Sequence, residues 1–209
     1  MKDIKTRENK KDIKMLDRAA GLAKVTKDAT VRTKDQVQNL SDDGQITPDE
    51  YAEDKVKNTV CFFGHREIYN LFELEEKLEE HIRILLESKE YVEFLVGRNG
   101  EFDQLVSSTV RRVKRNFRDD NSALVLVLPY LTAEYENNHQ SFHEYYDEIE
   151  ICQDAAEGHY KAAIQVRNRE MVDRSDLVVC YIEHNNGGAF QTVQYAKKKN
   201  KEIVNLSDQ

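Results

Sequence analysis

The chain has 209 residues, 39% of them hydrophobic and 33% charged, which fits one globular domain of ordinary size with a solvated appendage. Its net charge of -8 argues against a general nucleic-acid-binding protein. No apolar run approaches the roughly 18 residues of a membrane helix, and the lysine-rich start lacks the apolar core of a signal peptide. We therefore expect a cytoplasmic protein.

Residues 1–57 are expected to form a leader, helical or partly disordered, that is first basic and then acidic. Residues 1–34 carry eleven Lys or Arg against five Asp or Glu, whereas residues 35–54 carry seven acids and no base. A short amphipathic helix over residues 11–25 is predicted from apolar residues at helical spacing, which are Ile13, Leu16, Ala20 and Ala23. The domain proper is expected over residues 58–209.

From residue 58 onward, strand-like runs alternate with amphipathic helical patterns. Strands are predicted at residues 59–63, 91–96, 123–128, 177–182 and 202–206. Helices are predicted at residues 71–86, 102–117, 160–172 and 189–199, and a polar, tyrosine-rich connection covers residues 129–159. This alternation predicts an α/β Rossmann-like fold, a doubly wound and mostly parallel sheet of five or more strands with helices on both faces.

Glycines cluster just past the predicted strand ends. In sheets of this kind, ligands bind outside the carboxyl ends of the strands, where the strand order reverses. The turns GRNGEFD and NNGGAFQT both place glycines directly before a helix, where free N–H groups and the positive end of the helix dipole hold anions. Turns that need a positive φ are the alternative explanation. Five of the eight glycines lie just past predicted strand ends, namely Gly64, Gly97, Gly100, Gly187 and Gly188.

Side chains near these glycines are candidates for phosphate binding. Arg66 suits a bidentate contact, and one helical face with Arg167, Arg174 and Met171 suits a phosphorylated, partly apolar ligand. A solvated basic face explains the arginines equally well. The expected ligand-binding residues are Gly64, His65, Arg66, Gly97, Arg98, Gly100, Asp103, Pro129, Tyr130, Arg167, Asn168, Met171, Gly187, Gly188 and Ala189.

The tyrosine-rich connection offers aromatic rings that can stack on a base and carboxylates that can accept hydrogen bonds from ribose. Glu144 and Asp147 are among these carboxylates. No metal site is expected, because the six histidines show no metal-ligand spacing, and no cofactor is required. The three cysteines lie too far apart for a CxxC pair and are expected to be small buried hydrophobes.

The ordered motifs FFGHR, GRNGEFD, LVLVLPY, AAIQVRNREMVDRSDLVVCYI and NNGGAFQTVQYAKKKNKEIVNL resemble the YpsA-like branch of the SLOG superfamily, the Rossmann-like group named for the DprA and LOG proteins. The resemblance covers residues 59–206. It implies a pocket for a nucleotide or a nucleotide-derived, ADP-ribose-like ligand, with the glycine turn holding phosphate. Members include nucleoside-monophosphate N-glycosidic hydrolases and binding modules, some of which sense NAD-derived signals in antiphage systems. Residues 1–57 loosely resemble leaders of proteins from mobile elements.

The hydrolase branch of that superfamily carries RKxxM followed by PGGxGTxxE. This chain matches the pattern at Arg167, Met171, Gly187 and Gly188. It departs from the pattern at Asn186, Phe190, Gln191 and Gln194. Because glutamine can neither act as a general base nor stabilise an oxocarbenium ion by charge, the departure at Gln194 moves the expectation from catalysis to binding.

Three functions therefore remain open. The first is a module that binds a nucleotide-derived ligand, as a sensor or sequestering protein of a phage, mobile-element or defence system. The second is a hydrolase or transferase that acts on the N-glycosidic bond of a nucleoside monophosphate or NAD-derived nucleotide, with Glu144 or Asp147 as the acid. The third is an interaction scaffold with a basic leader. We expect a homo-oligomer, a dimer or higher, with no membrane contact, and expect nucleic acid only at residues 1–34.

Overall fold

The computed structural model describes residues 56–208, so the predicted leader helix over residues 11–25 lies outside the described residues. The strands are β1 (Lys57–Gly64), β2 (Tyr91–Val96), β3 (Ser122–Leu128), β4 (Glu148–Ile151), β5 (Leu177–Tyr181) and β6 (Glu202–Asn205). The helices are α1 (Leu71–Ser88), α2 (Glu101–Asn116), α3 (Ala133–Asn137), α4 (His139–Tyr145), α5 (Gln153–Glu157), α6 (Ala163–Arg174) and α7 (Gly187–Lys198). A 3₁₀ turn, Leu206–Asp208, follows β6.

All six strands pair in parallel, in the order β4-β3-β2-β1-β5-β6. Val60 of β1 is in register with Phe94 of β2 on one side and with Leu177 of β5 on the other. The chain therefore builds outward from β1 to β4, then returns and builds in the opposite direction from β5. This doubly wound, Rossmann-like arrangement confirms the predicted fold class. The strand order reverses between β1 and β5, which is where such sheets bind ligands.

Helices cover both faces of the sheet, and the alternation of side chains along β1 shows how. Val60 and Phe62 belong to the core between the sheet and helices α1 and α2. Cys61 and Phe63 belong to the core between the sheet and helices α6 and α7. Because the strand is buried on both faces, its sequence reads as an unbroken apolar run.

The connection over residues 129–159 contains the one strand in the described domain that the sequence pattern did not reveal. Glu148–Ile151 alternates acid with isoleucine, and Ile149 and Ile151 pack against the core while Glu148 is exposed. β4 pairs only with β3 and forms one edge of the sheet. Such alternation is typical of a half-buried strand, and the surrounding polar residues masked it.

The three cysteines are buried and free. Burial is the largest cause that raises the pKa of the Cys61 and Cys180 thiols to about 12 and that of Cys152 to about 11. Thiols of this kind are poor nucleophiles at neutral pH. Among residues 56–208, no helix combines the length and apolar character needed to cross a membrane.

Candidate functional site

A cleft of about 290 Å³ lies at the carboxyl ends of β1 and β5, at the switch point of the sheet. The loop after β1, the loop after β2, helix α6 and the start of α7 form its walls. The structure brings eleven of the expected ligand-binding residues together in this cleft: Gly64, His65, Arg66, Gly97, Gly100, Asp103, Arg167, Asn168, Gly187, Gly188 and Ala189.

The amino terminus of α7 opens on the cleft without a cap. Asn186, the N-cap residue, makes no side-chain capping hydrogen bond, and the first turn contains no acidic residue. A Cβ atom added at either Gly187 or Gly188 would meet nothing within 4 Å. The first N–H groups of a helix have no intrahelical acceptor, so this turn presents bare donors and the positive end of the helix dipole to the cleft.

The two adjacent glycines differ in what their backbone requires. Gly187 has a φ of +86°, which L-residues rarely adopt, so the turn explanation accounts for this glycine. Gly188 has no positive φ and no crowding neighbour. Neither backbone conformation nor packing within the described residues therefore explains Gly188.

Helix α2 makes the opposite arrangement at the other glycine turn. Its first turn carries Glu101, whose Oε2 accepts from the Ile68 amide at 2.8 Å, and Asp103, whose Oδ2 accepts from the Asn99 amide at 2.7 Å. Two carboxylates thus already complement this end of the helix. Of the two turns predicted to bind an anion, the one before α7 is the one whose helix has no acidic residue in its first turn.

Arg167 projects from α6 and is 2% exposed. Its Nη1 donates to the Val127 carbonyl and its Nη2 to Oδ1 of Asn99, both at 2.7 Å, while Nε has no hydrogen-bond partner among the described residues. Both acceptors are neutral, so no direct ion pair compensates the guanidinium. Burial lowers the pKa of Arg167, and the nearby charge of Asp103 opposes that effect. The unpartnered Nε and the lack of a direct ion pair to Arg167 within residues 56–208 favour an anion in the cleft.

Three of the glycines that line the cleft have close neighbours within the protein. A Cβ at Gly64 would lie 2.2 Å from the ring of Phe102, and one at Gly97 would lie 2.6 Å from Nη1 of Arg167. A Cβ at Gly100 would lie 2.8 Å from the Cα of Arg66. At Gly64, which also lines the cleft, the close approach of the Phe102 ring is a structural reason for glycine.

Asn168 fixes the start of α7 from the neighbouring helix. Its Nδ2 donates to Oγ1 of Thr192 at 3.1 Å, and that hydroxyl donates to the Gly188 carbonyl at 2.9 Å. Asn168 and Thr192 are both buried. The position of the open α7 turn relative to Arg167 is therefore held by a buried polar chain.

Two histidine rings form part of the cleft wall, one from each side of the switch point. His65 after β1 and His184 after β5 stack with ring centroids 3.6 Å apart and planes 6° apart. Nε2 of His65 accepts from the Glu183 amide at 3.1 Å, so that nitrogen carries no proton. Burial, followed by the charge of His184, lowers the pKa of His65. His184 and Asn99 were not among the predicted site residues, although Asn99 is adjacent to Gly100 and His184 precedes Gly187 by three residues.

Four expected ligand-binding residues do not line this cleft. Met171 is fully buried in the core under the sheet, because the α6 face that it shares with Arg167 is the face that packs on the strands. Pro129 and Tyr130 follow β3 outside the cleft lining. Arg98 lines a second cleft, where it donates to Glu134 at 2.7 and 3.0 Å and lies over the Phe142 ring.

The two acids considered for catalysis also lie away from the cleft. Asp147 is near the amino end of β3, where Oδ2 accepts from the Leu124 amide and from Nζ of Lys114. Glu144 lies exposed on α4 and accepts from Gln140. The carboxylate that does line the cleft is that of Asp103, whose pKa is raised chiefly by burial. No cluster of three or more metal-ligating side chains occurs within residues 56–208.

No protein-family model and no curated protein sequence matches this chain. The fold is similar to that of DNA processing protein A (DprA) from Streptococcus pneumoniae, with a TM-score of 0.51 and 12% identity over 70% of this chain. DprA from Helicobacter pylori, which binds single-stranded DNA, is similar with a TM-score of 0.49 and 16% identity over 70% of this chain. The chain spans 49% and 63% of those two proteins, respectively. At these identities the likeness concerns the fold alone.

Proposed function

We propose that this domain binds the phosphate of a nucleotide or nucleotide-derived ligand in the switch-point cleft. The observation that carries the proposal is the uncapped start of α7, which opens on the same cleft as the buried Arg167 with its unpartnered Nε. A helix amino terminus and a desolvated arginine both favour an anion, and together they define two sides of one site.

Local charge supports an anionic ligand even though the protein is acidic. Residues 56–209 carry 19 Lys or Arg against 27 Asp or Glu. Within the cleft, Arg66 and Arg167 outnumber the single carboxylate of Asp103. A concave surface with the opposite sign to the rest of the protein concentrates anions there.

The size of the cleft favours a small ligand. Its volume of about 290 Å³ is at the lower end of the range for small-molecule sites, which is roughly 300–1,000 Å³. A mononucleotide suits this space better than a dinucleotide. We also propose that the domain is a YpsA-like member of the SLOG superfamily. We further propose that it begins near residue 58 and forms a homo-oligomer.

The proposal is binding rather than cleavage. The carboxylate of Asp103 accepts a hydrogen bond from the Asn99 amide at the start of α2. Glu144 and Asp147 lie outside the cleft. Cleavage of an N-glycosidic bond needs an acid or base that can reach the leaving group or a water. Incubation with AMP should therefore release no adenine, as followed by chromatography.

Titration of the full chain with AMP by isothermal calorimetry tests the proposal. Replacing an exposed cleft arginine, Arg66→Gln, should weaken binding roughly 10-fold or more, because a hydrogen bond to a charged group contributes about 1.5–3 kcal/mol. Arg169→Gln is the matched control, since Arg169 is exposed on α6 over the Tyr195 ring and does not line the cleft. Absence of heat with AMP, ADP-ribose and NAD would overturn the proposal.

Single-stranded nucleic acid is the second candidate ligand, which widens the expectation that nucleic acid contacts only residues 1–34. Four exposed aromatic side chains, Tyr69, Phe72, Tyr130 and Tyr160, follow strand ends or precede α6 at the same edge of the sheet as the cleft. Exposed rings beside a cationic groove suit stacked bases. An oligo(dT) titration over a salt series, compared with AMP, separates the two ligands. Salt-sensitive oligonucleotide binding that AMP cannot displace would favour the second.

A further inference from the structure

The stacked pair His65 and His184 has no part in phosphate binding at α7, yet it forms a wall of the same cleft. The two rings come from the two halves of the sheet and meet at the switch point. A centroid separation of 3.6 Å with planes 6° apart is a face-to-face arrangement in close contact. The cleft therefore carries a flat ring surface next to its anion-binding end.

The two stacked rings differ in exposure, since one is buried and the other is exposed to solvent. His65 is 8% exposed and is held from below by the hydrogen bond from the Glu183 amide to its Nε2. His184 is exposed and lies over His65. His65 therefore supports one face of the His184 ring, and His184 is exposed and lines the cleft.

The spacing along the chain joins this ring surface to the anion site. His184 precedes Gly187 by three residues in the short segment between β5 and α7. Ile164 adds apolar surface to the same lining. A ligand that satisfies both ends of the cleft needs a phosphate and, close to it, a flat aromatic group.

We propose that His184, supported by His65, stacks on the base of the ligand, so that the cleft selects an aromatic mononucleotide over a sugar phosphate. This inference rests on the proposed function, because the phosphate site fixes where the base lies. Stacking tolerates any aromatic base, so the selection is for a planar ring rather than for one nucleobase.

A tryptophan reporter tests the contact directly. The chain contains no tryptophan, so His184→Trp introduces a single indole at the proposed stacking position. AMP should quench its fluorescence with saturation. His159→Trp is the matched control, because His159 also stacks on an aromatic ring, Tyr160, at 5.1 Å but does not line the cleft. AMP should leave its emission unchanged, and equal quenching of both variants would overturn the inference.

Affinities separate the base contact from the phosphate contact. The wild-type chain should bind AMP roughly 10- to 100-fold more tightly than ribose 5-phosphate, as expected for one base stacked on one aromatic side chain. His184→Ala should remove that difference by weakening AMP alone, and His184→Phe should restore it. Equal affinity of the wild type for the two ligands would refute the base contact while leaving the phosphate site intact. Failure of both to bind would refute the proposed function and the inference with it.

Discussion

At Gly188, alanine should favour the stability of the fold but weaken the proposed phosphate binding. The Cβ atom of Gly188→Ala would meet no atom within 4 Å, and the residue has no positive φ. Alanine is a better helix former than glycine by up to about 1 kcal/mol, so we expect the substitution to stabilise the domain by roughly 0.5 kcal/mol in the first turn of α7. The new methyl group would, however, project into the cleft beside the amides that are proposed to hold phosphate.

The neighbouring Gly187 provides the contrast. Its φ of +86° is strained for alanine, so Gly187→Ala should destabilise the domain by roughly 1–2 kcal/mol although the Cβ also meets nothing within 4 Å. The two substitutions add the same methyl group at adjacent positions. Opposite effects on stability would therefore follow from backbone conformation alone.

Urea unfolding measured by circular dichroism gives the free energy of unfolding of each variant, and calorimetry gives its affinity for AMP. We expect Gly188→Ala to be at least as stable as the wild type and to bind AMP at least 10-fold more weakly, a loss of about 1.4 kcal/mol. If Gly188→Ala lowers stability and leaves AMP affinity unchanged, Gly188 has a structural role and the reasoning about α7 is wrong.

Three further predictions concern the same cleft. Gly64→Ala should cost about 1–3 kcal/mol in urea unfolding, because its Cβ would lie 2.2 Å from Phe102; a smaller loss would contradict the close packing. Burial holds the pKa of His65 below its ordinary value of 6.5. The stabilising contribution of the neutral His65 ring is therefore present above pH 6.5 and lost as the pH falls below 6.5. The urea midpoint should decrease less between pH 7.5 and 5.5 in His65→Gln than in the wild type. Burial raises the pKa of Asp103, so Asp103→Asn should increase both stability and AMP affinity at pH 7. The gain in stability should fade as the pH approaches 4. Weaker AMP binding by Asp103→Asn would show that the carboxylate helps to place the ligand.

The strands were predictable because most of them are buried on both faces. The apolar run Tyr91–Val96 coincides with β2, and the run that predicted residues 123–128 corresponds to β3, which is buried throughout. β4 differs because it is an edge strand of four residues, and its exposed Glu148 and partly buried Glu150 made it read as part of a polar connection. Only the pairing with β3 identifies it as a strand.

The position of the cleft followed from topology, but the contacts of the residues that line it did not. Helical periodicity correctly placed Arg167 and Met171 on one face of α6. It could not show that this face packs on the sheet, so Met171 belongs to the core while the longer Arg167 side chain reaches the cleft. The stack of His65 on His184 depends on the parallel pairing of β1 with β5, which joins residues more than 100 positions apart.

Glycine after a strand is therefore a weak indicator of phosphate binding when taken alone. Gly64 makes room for an aromatic ring and Gly97 for a guanidinium, so two of the positions that looked alike serve contacts within the protein. The chemistry of the following helix separates them from the turn at α7. Neither helix has a side-chain cap, but carboxylates in the first turn of α2 already complement its dipole, whereas the first turn of α7 has no acid. Such a turn leaves the positive end of its helix dipole without a carboxylate beside a buried arginine, and this combination is why we propose that an anion from solution binds there.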